Sequence, residues 1–180
     1  MSGFSLLEDQ LGYLTDSQVK TVESAYLFAK SAHEGQFRRS GEPYIVHPLH
    51  VAMILSELKM DQASLVAGLL HDVVEDTEYT LEQISEKFGE EVAYIVDGVS
   101  KITRIKFRNK IEEQAENFRK MLLAMSRDIR VIIIKLADRL HNMRTIGSLP
   151  IQKQKFKAYE TLEIYSPIAK RLGMHGVCLE

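Results

Sequence analysis

Apolar residues recur at spacings of three and four along nearly the whole chain, the period of one face of a helix. From Ser17 to His33 the stripe is Val22, Ala25, Tyr26, Ala29 and Ala32, and Gly35 ends it. Residues 36–46, QFRRSGEPYIV, break the pattern with Gly41 and Pro43 and read as a loop. Pro48 suits the first turn of a second helix carrying Val51, Ala52, Ile54, Leu55 and Leu58. Asp61 is placed to cap a third helix, which runs on through LVAGLLHDVVED. Thr80 and Gln83 have capping-box spacing ahead of a helix stopped by Gly89, and Glu90 to Val99 repeats the periodicity. Further helices are expected over about Ile111 to Met125 and over Gln152 to Lys170, where Pro167 must kink the helix or mark its end.

The run VIIIK, residues 131–135, is ambiguous by itself, because consecutive β-branched residues also suit a buried strand. Its flanks favour helix, since Ile129, Ile133, Leu136, Leu140 and Met143 continue one stripe. With no internal repeat and no alternation of strands with helices, the pattern predicts an all-α bundle. Residues 100–110 form a weakly patterned connection holding Lys101, Arg104, Lys106, Arg108 and Lys110. These cations read either as a solvated loop or as a flap that meets an anionic substrate.

Composition narrows the picture. The chain of 180 residues is long enough for one domain with a sizeable core and short for two. A net charge of -2 supplies no general basic field, so direct nucleic-acid binding is not expected and any anion site must be local. Cys178 is the single cysteine, which excludes an internal disulfide and suits a reducing, cytoplasmic setting. No apolar segment reaches the roughly 18 residues of a membrane span, and the opening MSGFSLLEDQ lacks the regions of a secretion signal.

The stretch LLHDVVEDT, residues 69–77, sets His71, Asp72, Glu75 and Asp76 among Leu69, Leu70, Val73 and Val74. On a helix, His71 and Glu75 share one face and Asp72 and Asp76 the adjacent one. Burying unpaired carboxylates costs several kcal/mol, so this segment needs a partner, and a divalent cation is the economical one. One helix does not close such a site. His47, just before a helix, and Asp138, which interrupts an apolar helix, are the candidate additions. Asn142 and Thr145 follow Asp138 on the same stripe and could line a pocket. The plainer alternative pairs Asp138 with Arg139, Arg144 or another surface charge.

The order His47, His71-Asp72, Asp138 resembles the H...HD...D signature of the HD superfamily of metal-dependent phosphohydrolases. More narrowly, GEPYIVHP, GLLHDVVEDT, DGVSK, MLLAMSRDIRVIIIKLADRLHNMRT and EIYSPIAKRLG resemble the hydrolase domain of the RelA/SpoT homologue family, over nearly all of residues 25–177. The resemblance implies an HD-superfamily helical bundle that binds one manganese ion (Mn2+) and removes pyrophosphate from the 3′ position of ppGpp or pppGpp. It implies His47, His71, Asp72 and Asp138 as metal ligands, and Glu75 and Asp76 as the pair that positions and activates the attacking water. Arg38, Arg39 and Ser40 in FRRSGEPY, with Asn142 and Thr145, match substrate contacts. His33, His50, His141 and His175 fall outside the ligand positions; His50 reads as a helix-surface residue, the other three as structural or exposed, and Met53, Met121 and Met125 as core filler. Residues 1–180 are expected to be the N-terminal part of a longer chain with downstream synthetase and regulatory domains. The alternatives are an HD-type phosphohydrolase of another nucleotide, such as NADPH or a deoxynucleotide, and a non-catalytic alarmone-binding domain.

Overall fold

The computed structural model describes residues 3–103, 128–174, 176 and 177. The expected helix over about Ile111 to Met125, the cations from Arg104 to Lys110, His175, Cys178, Met121 and Met125 lie outside the described residues. What is described is all-α: α1 (Gly3–Glu8), α2 (Asp16–Ala32), α3 (Val46–Glu57), α4 (Gln62–Leu70), α5 (Val73–Asp76), α6 (Leu81–Phe88), α7 (Glu90–Thr103) and α8 (Ile129–Arg144). After a short 3-10 turn, Ile146–Ser148, come α9 (Ile151–Glu160), a π-helical turn (Thr161–Tyr165) and α10 (Ser166–Arg171).

The α4 helix is the central rod, buried from Ser64 to Leu70 and packed against α2, α3, α7 and α8. Gly68 lets it lie close to α3, because a Cβ there would stand 2.5 Å from Leu55 Cδ1. Leu55, Leu65, Leu69, Leu70, Ile95 and Ile134 fill the space between these helices. Polar caps set where the helices start. Thr15 and Thr80 each close a reciprocal capping box, with Gln18 and Gln83, and Asp61 accepts the Ser64 N–H.

Three sequence expectations need correction, and one helix was not expected. The helix expected through LVAGLLHDVVED is two helices, broken at His71 and Asp72. The His71 ring bonds the Gly68 carbonyl at 2.8 Å, the group that would receive the Asp72 N–H in an unbroken helix. Residues 100–103 continue α7 instead of opening a connection. The stripe on α8 is wider than one face: Ile129 is 47% exposed, while Val131, Ile132, Ile134, Leu136, Ala137 and Leu140 are all buried. Val131, Ile134, Ala137 and Leu140 face the main core, and Ile132 and Leu136 face a second cluster with Ile164, Tyr165 and Ile168. Finally, α1 was hidden by its brevity, yet Phe4 and Leu7 anchor it, and Leu11 follows into the core.

Pro167 acts as its chemistry requires. It lacks an N–H and crowds the carbonyl four residues back. The chain widens into a π turn ahead of it, where the Ser166 N–H reaches the Thr161 carbonyl.

Candidate metal and substrate site

Three helices deliver the polar cluster. His47 comes from the first turn of α3, His71 and Asp72 from the break between α4 and α5, and Asp138 from the middle of α8. One ligand atom each from His47, His71 and Asp138 lies within 4.8 Å of the others, and all three residues are buried. Asp138 Oδ1 is 3.2 Å from His47 Nε2 and 4.0 Å from His71 Nε2. Asp72 Oδ2 is 3.2 Å from His71 Nε2 and 3.7 Å from His47 Nε2. The helix break is what permits this, since it turns Asp72 back towards the histidine beside it.

Each cluster member is held from behind. His71 Nδ1–H donates to Gly68 O, leaving Nε2 to face inward. That Nε2 is fully buried and makes no hydrogen bond, because Asp72 Oδ2 is not aligned with it. Asp138 accepts from Lys135 Nζ at 2.8 Å through Oδ2 and from Asn142 Nδ2 at 2.6 Å through Oδ1. The plainer pairing of Asp138 with Arg139 is absent, for Arg139 donates instead to Glu160 at 2.6 Å.

Electrostatics follow from this crowding. Burial would push Asp138 up, but Lys135, His47 and His71 outweigh it and hold its carboxyl well below the ordinary value. Asp72 is likewise held down, with the His71 imidazolium overcoming burial. Burial pulls His71 down, yet Asp72 and then Asp138 lift it to about 9. His47 is lowered, because burial prevails over its contact with Asp138. Two opposed carboxylates and two buried histidines are a donor set whose negative charge a divalent cation would neutralise. His71 Nε2, buried without a hydrogen bond, fits that cation once the cation displaces its proton.

Of the other sequence candidates, Arg38 and Asn142 meet: Arg38 Nη2 donates to Asn142 Oδ1 at 2.8 Å. Thr145 caps the end of α8, and its hydroxyl donates to His141 O at 3.0 Å. Arg39 is exposed on the loop, as is Ser40, whose hydroxyl donates to Glu42 at 3.0 Å. Glu75 is half-buried on α5 and Asp76 is exposed beside it. Met53 packs against the core, as read from the sequence.

Two residues escaped the motif reading. The Tyr44 hydroxyl lies 2.8 Å from both Asp72 Oδ2 and Asp76 Oδ2, so its one proton is shared between two carboxylates. Burial and those charges raise its pKa, keeping it protonated. His141, read as structural or exposed, is buried 2.7 Å from His47, nitrogen to nitrogen. Burial, then His47, His50 and Arg38, lower its pKa to about 3. Neither contact has a signal in local spacing, since each joins residues tens of positions apart.

Comparison with known proteins adds to this geometry. The model of the HD domain family matches residues 25–175. The chain is 59% identical over 168 residues to the bifunctional (p)ppGpp synthase/hydrolase SpoT of Escherichia coli K12, covering 93% of this chain and 24% of that protein. It is 56% identical over 168 residues, with the same coverage of 93% and 24%, to the guanosine-3′,5′-bis(diphosphate) 3′-pyrophosphohydrolase of Vibrio cholerae. A solved structure described as a metazoan orthologue of SpoT that hydrolyses ppGpp superposes with a TM-score of 0.65 at 27% identity, over 80% of this chain and 83% of that one. The chain thus spans about a quarter of the length of the curated relatives it matches.

Proposed function

The chain belongs to the HD domain family, and on that premise we propose that it is a manganese-dependent 3′-pyrophosphohydrolase of ppGpp and pppGpp, leaving GDP or GTP. The observation that carries the reading is the buried cluster of His47, His71 and Asp138 with its unbonded His71 Nε2. The names borne by relatives at 56–59% identity support the choice of substrate. The guanosine tetraphosphate reading is preferred over NADPH or a deoxynucleotide for that reason.

In this reading His47, His71, Asp72 and Asp138 hold the ion. When bound, a divalent cation supplies Lewis acidity that lowers the pKa of a coordinated water and offsets charge on a phosphoryl oxygen. The donor set accommodates manganese, iron, cobalt or zinc, and manganese is assigned by the family resemblance. Glu75 accepts the proton of the attacking water and Asp76 orients it. Tyr44 restrains Asp76 by its shared hydroxyl proton. Lys135 and Asn142 fix the Asp138 carboxylate, and Arg38, Arg39, Ser40, Asn142 and Thr145 engage the nucleotide and its phosphates.

Since the chain covers 24% of its relatives, residues 1–180 are proposed to work as one hydrolase domain of a longer cytoplasmic protein with synthetase and regulatory parts. Among the described residues no helix is long and apolar enough to cross a membrane. The test is a panel of ppGpp, pppGpp, NADPH and deoxynucleoside triphosphates, each incubated with manganese, cobalt or zinc, with products followed by phosphorus NMR. The reading expects free pyrophosphate from the two guanosine substrates, fastest with manganese. Turnover of NADPH or a deoxynucleotide alone would replace it with the other HD-type reading, and tight alarmone binding without turnover with the regulatory one.

A further inference from the structure

A chain of three nitrogen-bearing groups leads from the loop of residues 36–46 to the centre of the cluster. Arg38 Nη1 is 3.3 Å from His141 Nδ1, and the same His141 nitrogen is 2.7 Å from His47 Nδ1. On its far side the His47 ring presents Nε2 to Asp138 Oδ1 at 3.2 Å. Which imidazole nitrogen carries the proton follows from the outermost member. A guanidinium has only donors, so the His141 Nδ1 that faces it must be an acceptor and carry no proton. Two lone pairs cannot face each other at 2.7 Å, so a proton sits on His47 Nδ1, and Nε2, which faces an Asp138 oxygen that can only accept, takes either a second proton or a cation.

His71 reaches the same arrangement by a different route, with Nδ1–H donated to the Gly68 carbonyl at 2.8 Å. A carbonyl can only accept, which fixes that ring unconditionally. An imidazole partner can accept or donate, so His47 is fixed only if something biases His141. Arg38 supplies the bias. His141 is itself clamped by burial and by stacking on His50, with ring centroids 4.9 Å apart and planes at 12°.

We infer that His141 is a positioning residue for His47: it accepts the Nδ1–H, so that Nε2 is turned toward the cluster as a metal donor, with Arg38 keeping His141 in its accepting form. The inference rests on the reading of His47 as a metal ligand. It also links the loop that carries Arg38 to the metal, since loss of Arg38 frees His141 to donate.

The test combines long-range nitrogen-15 NMR of the His47 ring with manganese titration, on the whole chain and two variants. His141→Leu fills the space without an acceptor, and His141→Asn restores an oxygen acceptor near the position of Nδ1. The metal-free wild type is expected to show a proton on His47 Nδ1. His141→Leu is expected to lose that signature and to bind manganese about 10- to 100-fold more weakly, the usual cost of losing such a supporting bond, while His141→Asn regains most of the affinity. Circular dichroism and thermal unfolding of both variants establish that they fold. A wild-type His47 with no proton on Nδ1, or a folded His141→Leu with undiminished manganese affinity, would overturn the inference. Wild type that shows the Nδ1 proton yet takes up no manganese would instead sink the metal reading and leave the His141 to His47 orientation standing.

Discussion

Arg130 and Asp138 lie little more than two turns apart on α8, and each is the hub of a charge cluster. Arg130 draws in Asp128 at 2.7 Å, Asp61 at 2.9 Å and Glu91 at 2.7 Å, tying the starts of α4, α7 and α8 together. Two of its three carboxylates reach into water, Glu91 being 63% exposed and Asp61 53%. Asp138 is 10% exposed, and it faces two histidines with Asp72 across from it. In the first cluster every charge has an opposite within reach and solvent screens the excess. In the second, two histidine nitrogens and two carboxylate oxygens converge, each nitrogen within 4.0 Å of both oxygens, and one buried nitrogen, His71 Nε2, makes no hydrogen bond. Completed pairing marks a staple; convergent, unfinished pairing marks a site for a cation.

Mutation should separate the two clusters sharply. Asp138→Ala removes a proposed ligand and, with it, the 2.8 Å bond from Lys135. Several kcal/mol of transition-state stabilisation are at stake, so turnover should fall on the order of 1,000-fold or more, and manganese titration should show binding lost. Glu75→Gln should keep manganese affinity while slowing turnover about 100-fold or more, as expected for a group that accepts a proton in the reaction. Unimpaired turnover in that variant would remove Glu75 from the water-handling role. Arg38→Ala should raise KM by roughly 10- to 100-fold, the value of a charged hydrogen bond, and by releasing His141 should also weaken manganese binding.

Acid–base behaviour offers a subtler contrast. In the metal-free protein His71 is lifted from its ordinary 6.5 to about 9, mainly because Asp72 overcomes burial. A folded-state value above the unfolded one stabilises the fold fully below about pH 6.5, and that contribution is lost as pH rises through about 9. Urea unfolding of metal-stripped protein should therefore show falling stability across this window, and a His71→Gln variant should flatten the slope. The Arg130 cluster contributes nothing there, because Asp61 and Asp128 are held down and Arg130 is held up, all charged throughout. The smallest effect belongs to Arg130→Ala, which should cost roughly 1 kcal/mol in thermal unfolding and leave turnover unchanged. A tenfold loss of turnover in that variant would erase the distinction between the clusters.

Much of the fold was legible because its signals are local. Asp61 and Thr80 announce helix starts through oxygens that reach backbone N–H groups three residues on, and Gly89 announces a stop by adopting a φ of +95°. The break at His71 was not legible, since it arises when a side chain takes a backbone carbonyl within its own helix. Nor was the second buried face of α8, which exists only because α10 and the π turn pack against it. At the site, the motif positions His47, His71 and Asp138 do converge, while Tyr44 and His141 act across the fold. Residues whose partners lie 28 and 94 positions away leave no periodic trace.

The most direct test of the central claim is release of pyrophosphate from ppGpp by the purified chain with manganese, alongside a chelated sample. Rapid release is expected, abolished by the chelator and restored by added manganese. Release that is indifferent to the chelator, or no release from a folded chain with manganese bound at the His47, His71 and Asp138 cluster, would contradict the claim.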